Sequence, residues 1–243
     1  MRSSLEVVYA SACLSFVGGF SDSVTFVVVF DIFSAHVTGN FIEFSKDLIF
    51  GAHLHGWLKL FVFPVFILAV MTGGIMRGLS YKLCTVLYAE GMMLIICGLL
   101  GMLNVFHFGN NPSFNYLLAL GIVFAMGLQN AFGKFYSKHL PSTTTVMTGN
   151  VTQFSLDLAG FFFSKASRGR DIKNLKGNSW VILSFLAGAL TGTAGAKLIG
   201  ITAIILPSIA VLQLSFKGAF WENLILTQSE SLPRTTDHKK IEA

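Results

Sequence analysis

The sequence predicts an all-α integral membrane protein built from two homologous halves. Hydrophobic residues make up 53% of the 243-residue chain and charged residues only 12%, with a mean hydropathy of +0.68. Soluble domains carry roughly 25% charged residues. Apolar runs of about 20 residues, enough to cross a bilayer as a helix, alternate with short charged loops. Val37-Thr38-Gly39-Asn40 then returns as Met147-Thr148-Gly149-Asn150. A large soluble α/β core can be as rich in phenylalanine, but it does not leave such runs.

The first span is expected from Val7 to Phe30. Arg2, the apolar stretch to Val17 and Ala10-Ser11-Ala12-Cys13 resemble a cleaved leader, yet apolarity resumes after Asp22 and reaches Phe33. That length favours an uncleaved helix. After the first Thr-Gly-Asn element come spans at Leu58 to Met76, Leu83 to Phe106 and Phe114 to Phe135. The second Thr-Gly-Asn element follows, and Trp180 to Ala196 and Leu198 to Phe216 complete six spans. The last two form one apolar run over 180–216, which as a single helix would reach about 55 Å. A turn is therefore expected near Lys197 to Gly200, matched in the first half by Arg77-Gly78 to Lys82. Six spans and two short or broken helices give eight helical segments. They divide into a first repeat at 1–110, a second at 111–216 and a polar tail at 217–243. In the tail Phe216, Phe220, Trp221 and Leu224 keep the spacing of an interfacial helix, and Ser229 to Ala243 has a disordered composition.

The repeat extends beyond the tetrapeptide. Gly19-Phe20-Ser21-Asp22 aligns with Gly127-Leu128-Gln129-Asn130 at an offset of 108, and Thr38-Gly39-Asn40 with Thr148-Gly149-Asn150 at 110. Phe66 and Thr72-Gly73 align with Phe185 and Thr191-Gly192 at 119, an extra loop from Ser164 to Asn178 accounting for the growth. With the amino terminus inside and neither Thr-Gly-Asn element crossing, 14 basic residues fall inside and only Lys46, Lys59 and Lys197 outside. If both elements cross, the split is 12 to 5. The six-span count is more asymmetric, and three spans per half invert the second half relative to the first. Both counts place the termini and the Lys165 to Lys176 loop in the cytoplasm. That loop is read as an orientation signal in preference to a nucleic-acid or lipid-headgroup patch.

Thr-Gly-Asn is a poor continuation for a helix in lipid, because glycine loosens the backbone and asparagine competes for its hydrogen bonds. A break at membrane depth faces protein or water, which makes both elements candidate sites. Asn40, Glu43 and Asp47 follow one element and Asn150, Gln153 and Asp157 the other, each set at i, i+3, i+7 on one helix face. Such stripes suit a polar path or proton relay, since a carboxylate facing hydrocarbon costs several kcal/mol. The plain alternative is an interfacial helix with a solvated stripe. Free N–H groups at the helix starts, with Thr143, Thr144 and Thr145 nearby, would attract anions, against the ordinary role of asparagine as an N-cap. Asp22, Gln129 and Asn130 are polar groups deep in long spans, and Glu90 stands alone in another. Gly188, Gly192, Ala196 and Gly200, with Gly74 and Gly78, have the four-residue spacing of helix packing. His53 and His55 read as a loop pair without further metal ligands, and Cys13, Cys84 and Cys97 show neither a disulfide framework nor zinc spacing.

At Gly19-Phe20-Ser21-Asp22, His36-Val37-Thr38-Gly39-Asn40, Gly127-Leu128-Gln129-Asn130-Ala131 and Thr144-Thr145-Val146-Met147-Thr148-Gly149-Asn150 the chain resembles the YoaK family of bacterial inner-membrane proteins. The resemblance implies an integral membrane location and about six or more helices, and supplies no reaction. The expected function is secondary transport or facilitation of a small polar solute, with proton coupling reconciling carboxylates and helix amino ends. A non-transporting scaffold or sensor is the alternative. An enzyme is disfavoured because no nucleophile–base pair, metal motif or nucleotide loop is present. No cofactor is expected; the partners are the bilayer and the solute, with self-association permitted and nucleic acid excluded. A single cysteine at Lys239 is expected to react only with reagents that reach the cytoplasm; labelling from outside intact cells would reverse the orientation.

Overall fold

The computed structural model describes residues 2–51, 53–79, 84–135, 147–163 and 168–217. Among these the chain is helical, without a strand. The helices are α1 (Arg2–Val28), α2 (Gly39–Phe50), α3 (His53–Gly78), α4 (Cys84–Phe108), α5 (Pro112–Phe135), α6 (Met147–Phe163), α7 (Arg168–Ile199) and α8 (Ile205–Phe216), with a 3-10 segment (Gly200–Ile204) before α8. Five stretches are long and apolar enough to cross a bilayer; the last, Asn174–Phe216, joins α7 to α8. The chain is a multi-pass helical membrane protein.

Two boundaries differ from the sequence reading. Residues 168–178, expected as loop, form the first turns of α7, because a polar segment free of proline continues a helix beyond the apolar run. His53 and His55 fall in the first turn of α3 instead of in a loop. The expected reversal near Gly200 is built by that residue's left-handed conformation (φ 62°), which favours glycine. Leu206, Ile209 and many side chains of α3 face outward while Leu14, Val17, Phe20, Ile122, Met126 and Leu128 fill the core. Outward apolar residues are what lipid contact requires. The Phe216 end of α8 is described; the tail from 218 onward, the three threonines at 143–145, Lys138 and Lys165 lie outside the described residues.

Glycine faces set how closely the helices pack. A Cβ on Gly19 would overlap the Phe185 carbonyl oxygen, one on Gly188 the Phe16 carbonyl oxygen, and one on Gly192 would come within 2.6 Å of that of Phe20. Thus α1 and α7 touch backbone to backbone. Similarly, a Cβ on Gly127 would lie 2.5 Å from Ala69 Cβ and 3.2 Å from the Phe66 carbonyl, fixing α5 on α3. Helices without large side chains at the contact gain close dispersion packing. Gly74 and Gly78 do not share this role: open space surrounds both, and Gly73, one residue earlier, faces Ala131 on α5. The helix phase, which four-residue spacing leaves undetermined, decides which glycine points inward.

These contacts give alanine opposite effects at two glycines. Gly74→Ala is expected to leave stability unchanged or raise it by about 0.5–1 kcal/mol through helix propensity. Gly188→Ala must push α1 from α7 and is expected to cost about 1–3 kcal/mol. Thermal unfolding in one detergent compares them, and equal midpoints would remove the close-contact account.

Candidate functional site

The chain turns sharply after α1. Phe30 (φ 48°) and Asp31 (φ 57°) adopt left-handed conformations, and the segment 29–38 folds back over the helix end. Backbone donors in that segment converge on Asp22. Its Oδ1 accepts from the N–H of Ala35 (2.5 Å), the N–H of His36 (3.2 Å) and the Ser34 hydroxyl (3.3 Å); Oδ2 also accepts from His36 (3.2 Å). A buried carboxylate and buried irregular backbone thereby satisfy each other. Asn40 closes the other side of the loop. Its Oδ1 accepts from the Phe33 N–H at 2.9 Å and its Nδ2 donates to the Phe33 carbonyl at 2.8 Å.

Asn40 is therefore a loop clasp and not an N-cap, the cap position being Thr38. The anion site expected at this helix start is not formed. The N–H groups of Gly39, Asn40 and Phe41 donate to the carbonyls of His36, Val37 and Thr38 at 2.9, 3.2 and 3.2 Å, so a tight first turn occupies them. Glycine is required at 39 because a Cβ would lie 2.6 Å from the His36 ring and 3.0 Å from that of Phe33.

A cavity of about 520 Å³ opens beside this loop. Asp22 and Ser23 from α1, His36 and Thr38 from the loop, Asn130 from α5, Thr148 from α6 and Thr193 from α7 give it polar groups. Phe26, Phe33, Phe66 and Phe185 supply aromatic walls. Four expected site residues, Asp22, Thr38, Asn130 and Thr148, are thus brought to one place. The aromatic walls, His36 and Thr193 were missed: single Phe and Thr residues in apolar runs carry no distinguishing signal, whereas His36, directly before the tetrapeptide, could have been found by its place.

The other candidates serve helix contacts. Gln129 Nε2 donates to the Leu14 carbonyl at 2.9 Å, tying α5 to α1. Asn150 is buried and its amide donates to Met147 Sδ at 3.9 Å, while Gly149 is exposed. The polar stripes of α2 and α6 face α3 and α7 and do not line the cavity. Lys59, only 2% exposed, bonds Asp47 at 2.8 Å and Glu43 at 3.2 Å; Lys46 bonds Glu43 and lies 3.6 Å from Asp31. The Lys46 ammonium, aided by Lys59, holds the Glu43 carboxyl below its ordinary range. In the second half Asp157 accepts from Gln153 Nε2 at 2.9 Å and Asn178 Nδ2 at 3.1 Å. Asn178 stands 119 positions after Lys59, the Phe66 to Phe185 offset. That offset could have identified both partners. An ammonium binds one aspartate and a neutral amide its counterpart.

A protein family model, described as "Protein of unknown function (DUF1275)", matches residues 10–216. No curated protein matches the chain, and no solved structure matches it.

The buried ion pair makes Lys59 costly to remove. Lys59→Met is expected to destabilise the fold by about 3–5 kcal/mol, because Asp47 stays buried without its cation. Asn178→Leu should cost about 1–3 kcal/mol, the loss of one hydrogen bond to a buried carboxylate. Chemical unfolding of the two purified variants measures the difference, and the reverse order would show that the ammonium does not hold α2 on α3.

Proposed function

The chain belongs to the DUF1275 family, and from the residues that share its cavity we propose that it is a secondary transporter or facilitator of a small polar solute, held between its two Thr-Gly-Asn elements. One observation carries the reading: Thr38 and Thr148, 110 positions apart, line the same cavity as Asp22 and Asn130, 108 apart. Local sequence alone does not bring such pairs together. A shared site between related halves is the arrangement found where inverted repeats move a substrate across a membrane.

The lining narrows the solute. About 520 Å³ falls within the roughly 300–1,000 Å³ range of small-molecule sites. Backbone donors occupy the Asp22 carboxylate, which leaves hydroxyls, an amide and an imidazole among phenylalanine rings. Those groups suit a small solute with neutral hydrogen-bonding groups on a partly apolar body. The sequence offers no nucleotide loop, so its movement would follow a solute or proton gradient.

The asymmetry of basic residues favours six crossings with both termini in the cytoplasm, and the family resemblance points to a bacterial inner membrane. At 12 residues α2 is about 18 Å long, short of the roughly 30 Å hydrocarbon thickness. The swapped contacts, Gly19 on Phe185 and Gly127 on Phe66, support two interlocked repeats of opposite orientation. No catalytic activity forms part of this reading.

Paired cysteines at Thr38 and Thr148 test the shared site. They are expected to join through a short bifunctional linker, and a solute that raises the unfolding temperature in a thermal-shift screen should slow the reaction. Joining only by reagents that reach about 30 Å would overturn the shared site. Short-range joining with no protecting solute across a broad metabolite set would instead favour a scaffold or sensor.

A further inference from the structure

Glu90 lies in α4 without solvent exposure, and neither carboxylate oxygen has a hydrogen-bond partner. Gln129, on α5, is equally buried. Its Nε2 donates to the Leu14 carbonyl, but its Oε1 has no partner. Both are acceptors left without a donor; among the described residues only Ser21 Oγ and Asn178 Oδ1 share that state, and most buried polar groups in proteins find partners.

The packing of α4 on α5 brings them to one level. Asn104 Nδ2 donates to Asn115 Oδ1 at 2.8 Å, and a Cβ on Gly121 would stand 2.6 Å from Cys97 Sγ. Further along, a Cβ on Gly73 would meet Ala131 of α5 at 2.6 Å and Val86 of α4 at 4.0 Å. These contacts fix an antiparallel register. Asn104, Cys97 and Glu90 recur every seven residues along α4, as do Asn115, Ile122 and Gln129 along α5. Seven residues are nearly two helical turns, so each set forms a stripe along one face. Since Asn104 faces Asn115, the opposed stripes carry Glu90 towards Gln129.

We infer that Glu90 is a proton-binding site of the bundle core, held as a neutral acid whose O–H donates to Gln129 Oε1. One added proton turns an acceptor into a donor and satisfies both groups. No other bond changes. A bare carboxylate would remain desolvated without a counter-charge. Among the described residues of the helices packed on α4, no cation is free to supply one. On α3, Lys59 is engaged by Asp47 and Glu43, and Arg77 lies over the Phe135 ring at 4.6 Å. On α5, Lys134 is exposed and the Tyr116 hydroxyl donates to the Leu58 carbonyl. The 3-10 segment and α8 carry no titratable side chain, and on α4 itself Tyr88 and His107 are exposed while Cys97 is one stripe position away.

The proton links α4 through Gln129 to α1, and Asn130, the next residue, lines the cavity. Coupling to a solute rests on the transport reading. The proton site does not. Infrared spectra of the full chain in lipid nanodiscs at neutral pH, with and without ¹³C at the glutamate side-chain carboxyl, test it directly. The expected result is a protonated-carboxyl band that shifts with the label, vanishes in Glu90→Gln and moves to higher frequency in Gln129→Met. Absence of any label-sensitive band in the unsubstituted protein would overturn the inference whether or not the variants fold. Persistence of the band in Glu90→Gln would assign the proton to another glutamate, and an unmoved band in Gln129→Met would remove the assigned hydrogen bond.

Discussion

The Asp22 carboxylate is the interaction on which the cavity depends. A membrane protein can leave helical geometry at depth only where the released backbone groups find partners within the protein. Here one side chain collects the Ala35 and His36 amides and the Ser34 hydroxyl, while Asn40 secures Phe33 from the opposite side. Thr38 and His36 reach the cavity because this loop has a fixed shape. Charge and geometry are inseparable in the arrangement: the carboxylate offsets the dipoles of the amides that surround it, and they replace its lost hydration.

Close helix contacts supply the walls. Gly19 sits against Phe185 and also borders the cavity, so the contact that joins α1 to α7 fixes one edge of the site. Gly127 likewise places α5 on α3, whose Phe66 forms part of the opposite wall. Side chains of ordinary size at these glycines would separate the walls before changing their chemistry. The α2–α3 and α6–α7 ties lie apart from the cavity and hold the two short helices on their longer neighbours.

Composition and span length made the membrane class and the main helices legible, and the recurring tetrapeptide drew attention to two of the segments that line the cavity. Spacing on one face was less informative about partners. The Asp47 and Asp157 stripes look equivalent, yet Lys59 meets one and Asn178 the other. Those partners come from the next helix, 119 positions apart from each other in the chain. Asn40 was misread for a similar reason: a side chain beside a helix start commonly caps it, whereas this one turns back seven residues to Phe33. Gly73 and Gly74 show the remaining difficulty, since adjacent residues of one type point to α5 and to open space.

The α1–α7 contact also has a consequence in time. Gly19 and Phe185 touch although 166 positions apart in the chain, so the ribosome finishes the first helix long before its cover exists. At about 5–20 residues per second the delay is roughly 10–30 s. Throughout that interval the glycine face of α1 lies open to lipid or to whatever machinery receives the nascent chain. Lipid or that machinery must therefore cover the glycine face of α1 until α7 arrives, and a message cut short before α7 would leave that helix without its partner.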